Sequence, residues 1–133
     1  MVLPVAIRLT FIDVNQVLSV VTHNGGVAIQ ITGPAKFDTG PGRDGGITAI
    51  SEDTWDTVLA INLTSIYLCC KYGIPLMKKG GSGAIINTAS SAGVIGIPGC
   101  DAYTATKGGT IALTRSLAVE YRPSNIRVNC IAP

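Results

Sequence analysis

The chain has 133 residues, a formal net charge of +2, and is 47% hydrophobic but only 5% aromatic. That length suits one domain able to bury a core, and the near-balanced charge, with no basic run, excludes a nucleic-acid surface. Cys69, Cys70, Cys100, Cys130 and the single His23 show no metal-ligand spacing; no metal is expected, and the adjacent cysteine pair reads as small core residues of a reducing cytoplasm.

The opening "MVLPVAIRLTFIDV" has no basic segment ahead of its apolar run and no small-residue cleavage site, so it does not read as a signal peptide. Residues 17–22, "VLSVVT", form a β-branched run with the pattern of a buried strand, and "HNGG" at 23–26 turns the chain. From Ile31 to Gly46 the sequence is rich in Gly and Pro without a period, and reads as a loop. Within it, Gly40-x-Gly42-x-x-Gly45 has the spacing of a dinucleotide-binding fingerprint. Such a loop needs a strand before it and a helix N-terminus after it, so that free N–H groups face a pyrophosphate. Here "ITGPAKFDT" precedes, no helix is expected before Ser51, and Pro41 removes an N–H. The match reads as a flexible loop.

Residues 51–79 have helical character. Ser51 is the expected N-cap, Glu52 and Asp53 suit the positive end of the helix dipole, and Trp55, Val58, Leu59, Asn62 and Ile66 fall at helical spacing. Lys78 and Lys79 fill the last turn, Gly80 and Gly81 stop it, and Pro75 should bend it. Its most apolar run, "TVLAINLTSIYLCC", is shorter than the ~20 residues a bilayer takes. "GAIINTAS" reads as a strand buried on both faces, a second helix runs from about Asp101 to Tyr121 with Leu113, Leu117 and Tyr121 on one stripe, and "IRVNCIAP" is another strand. Strands alternating with helices predict an α/β fold with a parallel sheet.

Three stretches carry candidate chemistry. "DAYTATKGG" sets Tyr103 and Lys107 four apart on a helix, as neighbours on one face. A free phenol, with a pKa of about 10, is a poor acid or base at neutral pH; bringing it near 7 takes roughly 4 kcal/mol, which an adjacent ammonium can largely supply. "INTASSAGVIG" puts Ser90 just after a strand, where doubly wound sheets form their ligand crevice, and its hydroxyl could hold a carbonyl or alkoxide oxygen. Asn62 is a polar residue on an apolar helix face, so it either bonds a backbone group or fixes a water. Taken singly, each has a plainer reading: a chance helical pair, a turn serine, a helix-kink amide. Their joint order carries the weight.

From Trp55 to Pro133 the sequence resembles the C-terminal half of a short-chain dehydrogenase/reductase, with "INLTS", "GAIINTASSAGVIG", "AYTATKGG", "ALTRSLAVEY" and "IRVNCIAP" in the family's order. The resemblance implies that Tyr103 is the general acid/base and that Lys107 lowers its pKa and binds the nicotinamide ribose. Ser90 would then orient the substrate oxygen, and Asn62 would position a relay water. Ser91 is the weaker candidate, because the register to Gly93 and Tyr103 favours Ser90. The implied reaction is NAD- or NADP-dependent hydride transfer between a small alcohol and a ketone.

The family opens with a strand, Thr-Gly-x-x-x-Gly-x-Gly and a helix, which nothing before Trp55 supplies. "VVTHNGGVA" resembles the family's Asn-Asn-Ala-Gly turn, with Asn24 and Gly26 as the matching, cofactor-binding positions. The expectation is therefore a single, incomplete Rossmann-like domain over residues 1–133. It would be irregular over 1–50 and catalytic-half over 51–133, about strands four to six of a doubly wound parallel sheet, with the first βαβ units absent. Self-association through the helices near 52–79 and 101–121 is implied, with no membrane partner. The alternative is a truncated, inactive fragment acting only through self-association or protein interaction.

Overall fold

The computed structural model describes the backbone of two strands, β1 (Val17–His23) and β2 (Gly26–Thr32), and all of residues 45–133. β1 and β2 are rich in β-branched residues, which suit a pleated surface. They pair antiparallel from His23↔Gly26 out to Val17↔Thr32. Only Asn24 and Gly25, which lie outside the described residues, separate that first pair, the length of a tight hairpin.

β2 then pairs in parallel with β3 (Gly83–Thr88), and β3 in parallel with β4 (Ile126–Ile131), giving the order β1-β2-β3-β4. The α/β class holds. Two expectations need correction. Residues 1–50 are not wholly irregular, since Ile31 and Thr32 complete a second strand rather than start a loop. The "VLSVVT" strand, moreover, is the antiparallel outer member of a mixed sheet, because a two-residue turn can only return the chain alongside itself.

The long helical stretch is continuous but not uniform. α1 (Glu52–Leu59) passes through a π-helical turn (Ala60–Thr64) into α2 (Ser65–Gly80). Ser51 caps α1 as expected, its Oγ accepting from the Thr54 N–H at 3.1 Å. Replacing Ser51 by Ala should destabilise the chain by about 1 kcal/mol, read as a lower urea midpoint with an unchanged slope. Pro75 sits inside α2 without ending it, and Gly81, at φ 80°, closes the helix in the left-handed region. By length and composition the helix Glu52–Gly80 could cross a membrane, although the apolar run singled out from the sequence is shorter. In this fold Ile66, Cys69, Cys70, Ile74 and Met77 instead turn inward as a core face.

α3 (Asp101–Tyr121) matches its expected bounds. Leu117 joins Ile85, Ile126, Val128 and the α2 face in one cluster, with Leu113 and Tyr121 packed against it. Both long helices therefore cover the same face of the sheet. That corrects the reading of β3 as buried on both faces: Gly83, Ile85 and Asn87 point to the helices, whereas Ile86 is 52% exposed. Arg127, Asn129 and Ile131 on β4 are exposed as well. The four cysteines are free thiols, three of them buried, and burial pushes Cys69 up to about 11 and Cys70 to about 12.

Candidate active site

The first two turns of α3 gather the chemistry. Tyr103 and Lys107, four apart, share one face, and the Lys107 ammonium lies 5.4 Å from the centre of the Tyr103 ring. Lys107 is only 9% exposed, and its Nζ donates to the carbonyl oxygen of Thr88 at 3.0 Å. Burial pushes its pKa below the ordinary lysine value, because removing an ammonium from water disfavours the charged form. A buried cation bonded to the end of β3 is a fixed electrostatic feature, unlike a solvated lysine. Three N–H groups are available on an ammonium, and Thr88 takes one.

Thr88 leads directly to Ser90. The residue is extended (φ −161°, ψ 158°) and caps a short 3-10 turn, Ser91–Gly93. Its Oγ accepts from the Ala92 N–H at 3.3 Å and donates to the Pro133 carbonyl at 3.4 Å. Backbone bonds from Ala89 to Ile131 and from Ser91 to Pro133, both 2.8 Å, extend the β3–β4 ladder into this turn. Ser90 is thus held between the end of β4 and α3, at the carboxyl ends of the parallel strands. Ladder geometry and Lys107 converge on this corner.

Asn62 occupies the π-helical turn, and its Nδ2 donates to the Val58 carbonyl at 3.2 Å. That is the backbone bond which the sequence reading allowed for this amide. π-turns mark functional positions with some frequency. The next residue, Leu63, packs against Gly109 of α3, where an added Cβ would lie 3.1 Å from it. The Asn62 turn, the Ser90 turn and Tyr103-x-x-x-Lys107 therefore meet along one short stretch of α3.

Asn24 lies outside the described residues. Gly26 opens β2 beside the start of β3, since Val27 pairs with Gly83. Ser90 follows the other end of β3, about 20 Å away at the rise of a strand. Gly26 is thus separated from Ser90, Tyr103 and Lys107, against expectation, because the hairpin reverses β1 and sends its far end away from the site. The described residue that the parallel register carries toward the site end of the sheet is Thr32, the last of β2. In the glycine-spaced loop, Gly40 and Gly42 lie outside the described residues. Gly45 (φ 86°) bridges to Cys100, and among the described residues no helix starts before Glu52.

Other polar residues supporting the site escaped the sequence reading. Asn87, fully buried on β3, donates from Nδ2 to Thr114 Oγ1 at 2.9 Å. Thr114 and Thr110 bond back to carbonyls one turn earlier, and Thr106 bonds the Tyr103 carbonyl at 2.7 Å. At the head of α3, the Asp101 carboxylate accepts the Ile47 N–H at 2.6 Å and ties down the segment that leads into α1. A stripe of three threonines four apart was the available clue.

Residues 14–133 match the family model described as enoyl-(acyl carrier protein) reductase. The chain belongs to the short-chain dehydrogenase/reductase family. A 3-oxoacyl-(acyl carrier protein) reductase of Chlamydia pneumoniae is 45% identical over 122 residues, covering 85% of this chain and 49% of its own length. A 2-(R)-hydroxypropyl-CoM dehydrogenase of Xanthobacter autotrophicus is 35% identical, covering 91% of this chain and 48% of its own. A crystal structure of a short-chain dehydrogenase/reductase from Burkholderia xenovorans superposes with a TM-score of 0.66 at 42% identity, over 71% of this chain and 38% of that one. The chain spans about half the length of the curated relatives it matches.

Members of such a family of oxidoreductases invite a test of fit to a nicotinamide dinucleotide. The ribose end fits, because Lys107 keeps two N–H donors beside Tyr103 at the carboxyl end of β3. The diphosphate end finds no match among the described residues. The N-termini of α1 and α3 carry Glu52, Asp53 and Asp101, whose charges repel an anion there.

Proposed function

We propose that this short-chain dehydrogenase/reductase segment carries the proton-transfer half of an NAD(P)-dependent alcohol–ketone oxidoreductase. One observation carries the reading: Lys107, buried, bonds the end of β3 while standing over the ring of Tyr103. A bound nicotinamide dinucleotide supplies the hydride chemistry. In the direction of reduction, the Tyr103 phenol gives its proton to the carbonyl oxygen, and Ser90, turning its O–H away from the Pro133 carbonyl, donates a hydrogen bond to the same oxygen as charge develops there. Lys107 holds the ribose and balances negative charge on the phenol oxygen. Asn62, tied to the Val58 carbonyl in the π-turn, positions a relay water.

A chimera provides the test. Residues 51–133 replace the corresponding segment of the Chlamydia pneumoniae reductase, whose remaining half supplies its own N-terminal residues. The chimera is expected to oxidise NADH or NADPH in the presence of a 3-oxoacyl ester. A soluble, folded chimera with no turnover would remove the reading.

We also propose that the chain self-associates through α2 and α3. Between them lies a cleft of about 390 Å³ with Ile74, Leu113, Leu117 and Tyr121 in its wall and Lys71 and Lys78 at its rim. The Tyr67 and Tyr72 rings beside it are nearly half exposed. An apolar cleft edged by aromatic rings is a surface that a protein partner covers well.

A further inference from the structure

We propose that Gly93 is a positioning residue of the proton-handling site: having no side chain, it lets the turn that carries Ser90 lie directly on the backbone of Lys107 and Gly108. The proposal rests on reading Ser90, Tyr103 and Lys107 as one site. A Cβ at Gly93 would sit 2.6 Å from the carbonyl carbon of Lys107, 2.8 Å from its oxygen and 2.8 Å from the nitrogen of Gly108. Those atoms belong to a helix backbone and cannot swing aside as a flexible side chain would.

The requirement is for space, not for conformation. Among the described residues the positive-φ glycines are Gly45, Gly81 and Gly99, and Gly93 is not one of them. The requirement is also one-sided. A Cβ at Gly108, across the same junction, would meet only the Gly93 oxygen, at 3.7 Å, an ordinary van der Waals contact.

The consequence is a clamp made by a single residue. The Lys107 ammonium bonds Thr88, just before Ser90, while the Lys107 peptide abuts Gly93, just after it. Gly93 N–H closes the turn on the Ser90 carbonyl at 2.9 Å. Ser90 is therefore fixed between two contacts with the same helical residue, which also faces Tyr103. A methyl group at Gly93 would have to push the turn off α3 by roughly 1 Å to reach normal contact distance. A displacement of that size in a catalytic constellation costs as much as about 10²-fold in rate.

Acylation footprinting of the full chain with acetic anhydride, read by mass spectrometry, tests this without requiring turnover. In the native chain Lys107 should react slowly relative to the exposed Lys71, Lys78 and Lys79. In Gly93→Ala it should react about tenfold faster, because local opening uncovers it, while Cys69 and Cys70 stay protected from a thiol reagent. Gly108→Ala should leave Lys107 unchanged. An unchanged Lys107 rate in a Gly93→Ala chain with protected cysteines overturns the proposal, and so does equal acceleration by Gly108→Ala. Should Gly93→Ala expose the cysteines as well, the native chain decides by NMR. A strong Overhauser effect between a Gly93 α-proton and the Gly108 amide proton upholds the contact, and its absence overturns it. Failure of the chimera to turn over would leave these results standing, so the two claims fail separately.

Discussion

Replacing Tyr103 by Phe in the chimera is expected to lower turnover by about 10²–10⁴-fold with dinucleotide affinity nearly unchanged. The substitution removes one oxygen and leaves the ring over which the Lys107 ammonium stands. Packing and the cation–ring contact persist, so the loss reports proton transfer and not the fold. A drop of 10³-fold corresponds to about 4 kcal/mol of transition-state stabilisation, within reach of a single positioned acid. Turnover and dinucleotide affinity, measured side by side by steady-state kinetics and fluorescence titration, check both halves. Retained turnover would move the proton to another group. A parallel loss of affinity would instead make Tyr103 a binding residue.

How much of this was legible in the sequence depended on how local each determinant is. α3 carried its own bounds: Asp101 at its head, Leu113, Leu117 and Tyr121 at helical spacing, and Pro123 beyond its end. The 51–80 helix likewise showed its cap and its terminal lysines and glycines. The π-turn did not show, since one extra residue per turn leaves the apolar spacing almost intact. β2 was missed although Asn24-Gly25 between apolar runs is a strong hairpin pattern. The Gly- and Pro-rich sequence from Gly33 onward masked the strand that precedes it.

At the site, helical spacing paired Tyr103 with Lys107 and the strand end placed Ser90, but only their joint order carried weight, and the family register chose Ser90 over Ser91. What sequence could not disclose was the role of neighbours brought in by the sheet. Asn87 reads as one polar residue in an apolar strand, and only the crossing of α3 gives it Thr114 as a partner. Gly93 reads as a turn glycine until the helix backbone is found against it. The sheet's asymmetry was hidden for the same reason. "GAIINT" is apolar at positions facing both ways, and which face is covered depends on where both helices land.

That asymmetry yields a sharp expectation for two adjacent residues. Ile85 is fully buried against α2 and α3, whereas Ile86 faces the other way and is 52% exposed. Ile85→Ala removes a branched side chain from the middle of the core and should destabilise the chain by about 2–5 kcal/mol, the lost transfer energy plus that of the cavity left behind. Against a total of about 7–20 kcal/mol for a chain of this length, that is a large fraction. It should lower Tm by roughly 10–20 °C in a calorimetric scan. Ile86→Ala should move it little, as surface substitutions stay within about 0.5 kcal/mol. The pair also reports on the open face. If Ile86→Ala costs as much as Ile85→Ala, and the cost shrinks on dilution, a second copy covers that side of the sheet in solution. Equal costs at every concentration would mean that the chain itself covers both faces.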